Sequence, residues 1–140
     1  MSDEIGARCT AIEQCYEFML AYAGQGLHGD EGNRSSGEVR EYLHRAVEAL
    51  SGLAAAYARA VEQQNLQPSE PYQAFLAVLD RDARDSLSAI QLVLTQPNIS
   101  SQLIDNLNAS IHLRALLTDL FLVDEILKPQ RMHAKPVTTD

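Results

Sequence analysis

Apolar residues recur at intervals of three and four along most of the chain, which predicts four amphipathic helices. Their approximate ranges are Asp3–Ala23, Ser35–Asn65, Glu70–Thr95 and Asn98–Lys128. Turn-forming glycines and prolines separate them, and no alternating pattern typical of strands competes. We therefore expect an all-α fold, an antiparallel four-helix bundle with a long Gly-rich loop, Gly24–Gly37, between helices 1 and 2.

The chain of 140 residues has the length of one domain. We assign the bundle to residues 1–128 and expect Pro129 to end the last helix, because proline cannot donate the backbone hydrogen bond that a helix interior needs. Residues 129–140 show no apolar periodicity and are predicted to form a flexible C-terminal tail.

The last predicted helix carries two apolar stripes on roughly opposite sides, whereas a surface helix normally has one. The first stripe contains Ile104, Leu107, Ile111, Ala115, Thr118 and Leu122. The second contains Ala109, Leu113, Leu116, Leu120, Val123 and Leu127. A helix with two such stripes needs covering twice, by its own bundle and by a second partner. We predict that Leu113, Leu116, Leu120, Val123 and Leu127 form a self-interface, and burial of this second stripe as internal core is the alternative.

Composition narrows the classes of partner and the compartment. The formal net charge is −8, with no cluster of Lys and Arg, which argues against nucleic acid and anionic membranes as partners. The N-terminus lacks the apolar segment of a signal peptide, and no apolar run approaches the roughly 18 residues of a transmembrane helix. Cys9 and Cys15 lie on different flanks of the first helix and are not expected to form a disulfide. These features predict a cytoplasmic protein.

Two histidine patterns could carry chemistry, and both centre on His44. Glu41 and His44 form one Glu-x-x-His pair, whereas di-iron bundles use two such pairs pointing inward. His44 is predicted to point outward, so no metal site and no cofactor is assigned. Histidine phosphotransfer domains carry a His-x-x-Lys-Gly pattern, and here Val47 and Glu48 take the places of the lysine and the glycine. A phosphotransfer-like domain using His44 remains an alternative.

A ligand cavity between helices is a further possibility, with Tyr16, Tyr57 and His112 as candidate ligand-binding residues. No constellation of nucleophile, base and orienting group is apparent, so no catalytic residue is assigned. The sequence favours a non-enzymatic protein-interaction module, such as an adaptor, chaperone-like or regulatory bundle, that self-associates as a homodimer through its last helix. Another protein could also bind that helix or the Gly24–Gly37 loop. The alternative is a bundle that binds a small molecule or a metal.

Overall fold

A computed structural model of the chain describes residues 2–28 and 34–134, with the side chains of residues 4–28 and 37–127. Every regular element within these ranges is helical, which confirms the all-α prediction. The six helices are α1 (Ser2–Ala23), α2 (Arg34–Ser51), α3 (Leu53–Gln64), α4 (Ser69–Leu94), α5 (Ser101–Ala109) and α6 (Ile111–Ala134). Within these ranges, none of the helices has the length and apolar content needed to span a bilayer.

The first and third predicted helices match α1 and α4 to within about one residue at each end. The apolar stripe of α1 faces the core, with Ile5, Cys9, Ile12 and Met19 buried. Helix α4 begins directly after Pro68, and Pro71 lies in its first turn. A proline is tolerated there because the backbone N–H groups of the first turn have no partner within the helix.

The second predicted helix is divided at Gly52, which separates α2 from α3. Arg8 of α1 stabilises this break, because its Nη1 donates to the carbonyl oxygens of Glu48, at 3.1 Å, and Ala49, at 2.9 Å. These carbonyls belong to the last turn of α2, where they lack partners within the helix and where a cation is favourable. Glu4 holds the guanidinium of Arg8 in place through an ion pair of 3.1 Å.

The predicted Gly24–Gly37 loop is shorter than expected, since α2 already begins at Arg34 and includes Gly37. Gly26 has a φ of +69°, a left-handed conformation that suits glycine. Leu27 is fixed to the start of α5 by two hydrogen bonds with Ser101: its N–H donates to Oγ at 2.8 Å, and its carbonyl accepts from the N–H at 2.9 Å. Residues 29–33 of the predicted loop lie outside the described ranges.

The last predicted helix is also divided, at Ser110, whose ψ of 141° interrupts the helical backbone between α5 and α6. The Ser110 hydroxyl accepts the N–H of Leu113 at 3.4 Å, so this serine caps α6. The prediction that Pro129 ends the helix is wrong, because α6 continues to Ala134. The rest of the predicted tail, residues 135–140, lies outside the described part of the chain.

One apolar core joins the helices. Helix α1 packs on α2 and α5, and α4 packs on α2, α3 and α6. The largest fully buried side chains include Tyr22 and Tyr57. Tyr22 donates its hydroxyl to the carbonyl of Ile99, just before α5. Helix α6 packs against α4 on one side, and another side of α6 faces an open cleft beside α1.

Candidate interaction surface

The structure places the predicted interface residues of the last helix inside the protein. Their exposed fractions do not exceed 5%, and the residues are Leu113, Leu116, Leu120, Val123 and Leu127. This stripe faces the core, with α4 packed against α6. Of the two readings left open by the sequence, internal core describes this stripe, and its residues are not available to a partner.

The opposite side of α6 is apolar and exposed. Ile111 is 75% exposed, Leu122 49% and Ile126 44%. Ala115 is half-buried and Thr118 exposed, at intermediate positions of the same face. We call this face the outer stripe; it consists of Ile111, Ala115, Thr118, Leu122 and Ile126. The outer stripe contains the α6 residues of the first stripe predicted from the sequence. The prediction placed that stripe against the bundle's own core, whereas in the structure it is the exposed face that a partner could cover.

Ser110 explains why the first stripe changes sides. In α5, Ile104 and Leu107 of this stripe are buried at 0% and 5% exposure. The extended backbone of Ser110 breaks the helical repeat, so Ile111 does not follow Leu107 into the core. One apolar pattern thus serves the core before Ser110 and the surface after it.

A cleft of about 430 Å³ separates α6 from α1 next to the outer stripe. Its lining residues are Glu13, Tyr16, Glu17, Arg114, Leu117, Thr118 and Phe121. Phe121 is 62% exposed and extends the apolar surface from the outer stripe into the cleft. Sequence reasoning missed Phe121 and Ile126, because neither was assigned to either stripe.

The three predicted ligand residues do not form one site. Tyr16 lines the cleft. Tyr57 is buried in the core, where its hydroxyl lies 3.3 Å from Cys9 Sγ and donates to Asp124 Oδ1 at 3.3 Å. His112 lies on the α4 side of α6, with Nδ1 3.9 Å from Asp85 Oδ2. A cavity lined by all three side chains is therefore not present in the described structure.

The contact between α4 and α6 contains a buried carboxyl that the sequence did not reveal. Asp119 is only 8% exposed, and its Oδ2 has no hydrogen-bond partner among the described residues. Burial, together with a hydrogen bond to Asp82 and the charge of that residue, raises the pKa of Asp119 to about 7. Nearby, Ser86 Oγ donates to the carbonyl of His112 at 2.9 Å. These polar contacts, of Asp119 with Asp82 and of Ser86 with the backbone of His112, join α4 to the side of α6 next to the outer stripe.

The residues considered for chemistry lie apart from the cleft. His44 is exposed on α2, as predicted, and Glu41 pairs with Arg45 at 3.5 Å. Burial raises the pKa of the Cys15 thiol to about 12, so this group stays protonated near neutrality. Among the described side chains, no group of three or more His, Cys, Asp or Glu is placed to hold a metal ion.

Comparison with known proteins gives no relative to set beside this geometry. No family model matches the chain, and neither the curated proteins nor the solved structures contain a significant match.

Proposed function

We propose that this protein is a non-enzymatic interaction module, a four-helix bundle that forms a homodimer through the outer stripe of α6. In this proposal α2 with α3 and α5 with α6 each act as one bent member of the bundle. The observation that carries the proposal is the exposed apolar face of α6 opposite its buried one. The interface moves from the residues predicted by the sequence to the other side of the same helix.

The density of exposed apolar side chains supports this choice of surface. Within 16 residues, α6 exposes Ile111, Phe121, Leu122 and Ile126. Among the other described side chains, the exposed large apolar residues are spread out, with Val78 and Leu92 at distant positions of α4 and a single leucine on α1. Isolated apolar side chains are normal on a protein surface, but a contiguous patch commonly marks an interface. Covering the patch stabilises an assembly in proportion to the apolar area removed from water.

Mass in solution, measured by light scattering behind size exclusion, tests the proposal. At protein concentrations well above micromolar, the wild type is expected to be a dimer and Leu122→Glu a folded monomer, because the substitution places a charge in the centre of the outer stripe. Leu92→Glu is the matched control, since Leu92 is 66% exposed but lies on α4. It should remain a dimer. A monomeric wild type, or equal masses for all three proteins, would overturn self-association through α6.

The cleft favours one second candidate, a bundle that binds a small organic ligand. Its volume of about 430 Å³ lies within the range of ligand sites, and Tyr16, Leu117 and Phe121 provide apolar and aromatic walls. A ligand bound there should quench or shift the fluorescence of Tyr16, and Tyr16→Leu should abolish that change. If a compound binds to Tyr16→Leu and to Phe121→Ala as tightly as it binds to the wild type, the cleft is not the binding site.

A further inference from the structure

We infer that the second copy docks antiparallel on α6, with the two-fold axis passing close to Thr118. This inference rests on the proposed function, since it requires that the outer stripe meets its own copy. It adds the direction of the two helices and the contacts that select a second copy over an unrelated protein. The support comes from the symmetry of the outer stripe about its own midpoint.

The apolar positions of the stripe are symmetric along the helix. Thr118 lies near the middle, with Ala115 and Leu122 on either side and Ile111 and Ile126 at the ends. A two-fold axis at the midpoint of an antiparallel helix pair brings Ile111 of one copy towards Ile126 of the other, and Ala115 towards Leu122. The small side chains of Ala115 and Thr118 permit close approach at the axis. The whole stripe spans about 22 Å, at 1.5 Å per residue.

The charges beside the stripe are also self-complementary. Arg114 and Glu125 are both exposed, and Arg114 lines the cleft beside α1. They are 11 residues apart, about three helical turns, so they project from the same flank. The midpoint of the stripe lies between Thr118 and Asp119. An axis there brings Arg114 of each copy within about two residues, or about 3 Å along the helix, of Glu125 of the other. Two equivalent ion pairs result, because an antiparallel two-fold pair brings the same flank of both helices together. A parallel pair places these flanks on opposite sides of the interface, where neither ion pair can form.

The limited size of the surface sets the expected affinity. A single helix pair is expected to bury less than the roughly 800 Å² per partner of a standard interface, so we expect a weak dimer, with a dissociation constant in about the micromolar range. Phe121 adds apolar area at the edge of the cleft. Exposed ion pairs contribute little energy but distinguish one orientation from another, since only the antiparallel pair brings Arg114 and Glu125 together.

Cysteine cross-linking tests the direction of the helices. Thr118→Cys should give a covalent dimer with a short bismaleimide, whereas Gln63→Cys, at an exposed position of α3, should not. The wild type is the background control, because Cys9 and Cys15 are buried at 7% and 2% exposure. In an equal mixture, tagged Ala115→Cys and untagged Leu122→Cys should cross-link mainly to each other. Predominant self-linking of each variant would indicate a parallel pair and overturn the inference.

Charge reversal tests the ion pairs. Arg114→Glu and Glu125→Arg should each weaken the dimer about three- to tenfold in sedimentation equilibrium, and the double variant should regain most of the affinity. If the double variant is weaker than both single variants, these residues do not face each other. A dimer that Leu122→Glu dissociates but Thr118→Cys does not link would retain the proposed function and reject this geometry. A monomeric wild type would reject both.

Discussion

Asp119 of α6 meets Asp82 of α4 across a buried contact, so the two helices share a carboxyl pair in which one member can hold a proton near neutrality. The protonated Asp119 can donate to Asp82, whereas the ionised form leaves two like charges in a poorly solvated place. The attachment of α6 to α4 is therefore linked to pH.

Stability should fall as the pH rises towards 7. Asp119 has a folded pKa of about 7, above its usual 3.8, so the folded chain binds this proton more tightly than the unfolded chain. The free energy of unfolding then decreases between about pH 4 and pH 7, by on the order of 4 kcal/mol. Asp119→Asn should flatten this decrease and be more stable than the wild type at pH 8. Urea unfolding followed by circular dichroism measures both effects.

Asp105→Asn is the matched control, because Asp105 is exposed on α5 and lies away from the carboxyl pair. This variant should keep the pH dependence of the wild type. A decrease that persists unchanged in Asp119→Asn would show that other groups cause it.

Two leucines two positions apart on α6 should differ strongly in their effect on folding. Leu120 is 2% exposed and Leu122 is 49% exposed. Leu120→Ala should lower the free energy of unfolding by about 2–5 kcal/mol, because it leaves a cavity in the core. Leu122→Ala should change it by less than about 0.5 kcal/mol. Chemical denaturation at a concentration where both variants are monomeric gives the comparison; similar losses would contradict the assignment of the two faces.

Gly52 should resist replacement because of Arg8. A Cβ added at Gly52 would lie 2.7 Å from Nη2 at the end of the Arg8 side chain, so the guanidinium would have to shift and its hydrogen bonds to the carbonyls of Glu48 and Ala49 would weaken. We expect Gly52→Ala to cost about 1 kcal/mol of stability. In an Arg8→Met background the same substitution should cost much less, since the obstructing group is absent. Equal costs in the two backgrounds, measured by thermal or urea unfolding, would rule out this coupling.

The cysteines should be inert in the folded protein. Cys9 and Cys15 are both buried, and the pKa of Cys15 is about 12. Thiol titration with Ellman's reagent at pH 8 should detect neither within minutes, and both after unfolding in urea. Rapid reaction of the native protein would mean that α1 opens readily from the core.

The sequence was a good guide to α1 and α4 because each has one apolar stripe and clear ends. It missed the breaks at Gly52 and Ser110, because only one residue interrupts the helical backbone at each of them. Such breaks depend on contacts from distant residues, as when Arg8 binds the last carbonyls of α2. Periodicity likewise identified two stripes on the last helix but not which one faces inward, since both are apolar and the choice depends on the break at Ser110.

Two further differences follow from the limits of local rules. Pro129 was expected to end the last helix, but α6 continues through it to Ala134. Proline removes the hydrogen bond to the carbonyl of Glu125, and this residue is exposed, so water can take the place of the lost donor. The pairing of Asp119 with Asp82 was not predictable, because 37 positions separate the two residues in the chain and no spacing rule connects them.

The break at Ser110 also determines where the chain can vary in length. Each residue turns an α-helix by about 100°, so one residue inserted within the first turns of α6 would rotate everything after it and carry Leu116 and Leu120 out of the core. The outer stripe would turn with them. The extended backbone of Ser110 does not transmit this rotation, so the connection can absorb a single codon gained there, whereas one gained a few positions later would disrupt folding and assembly together.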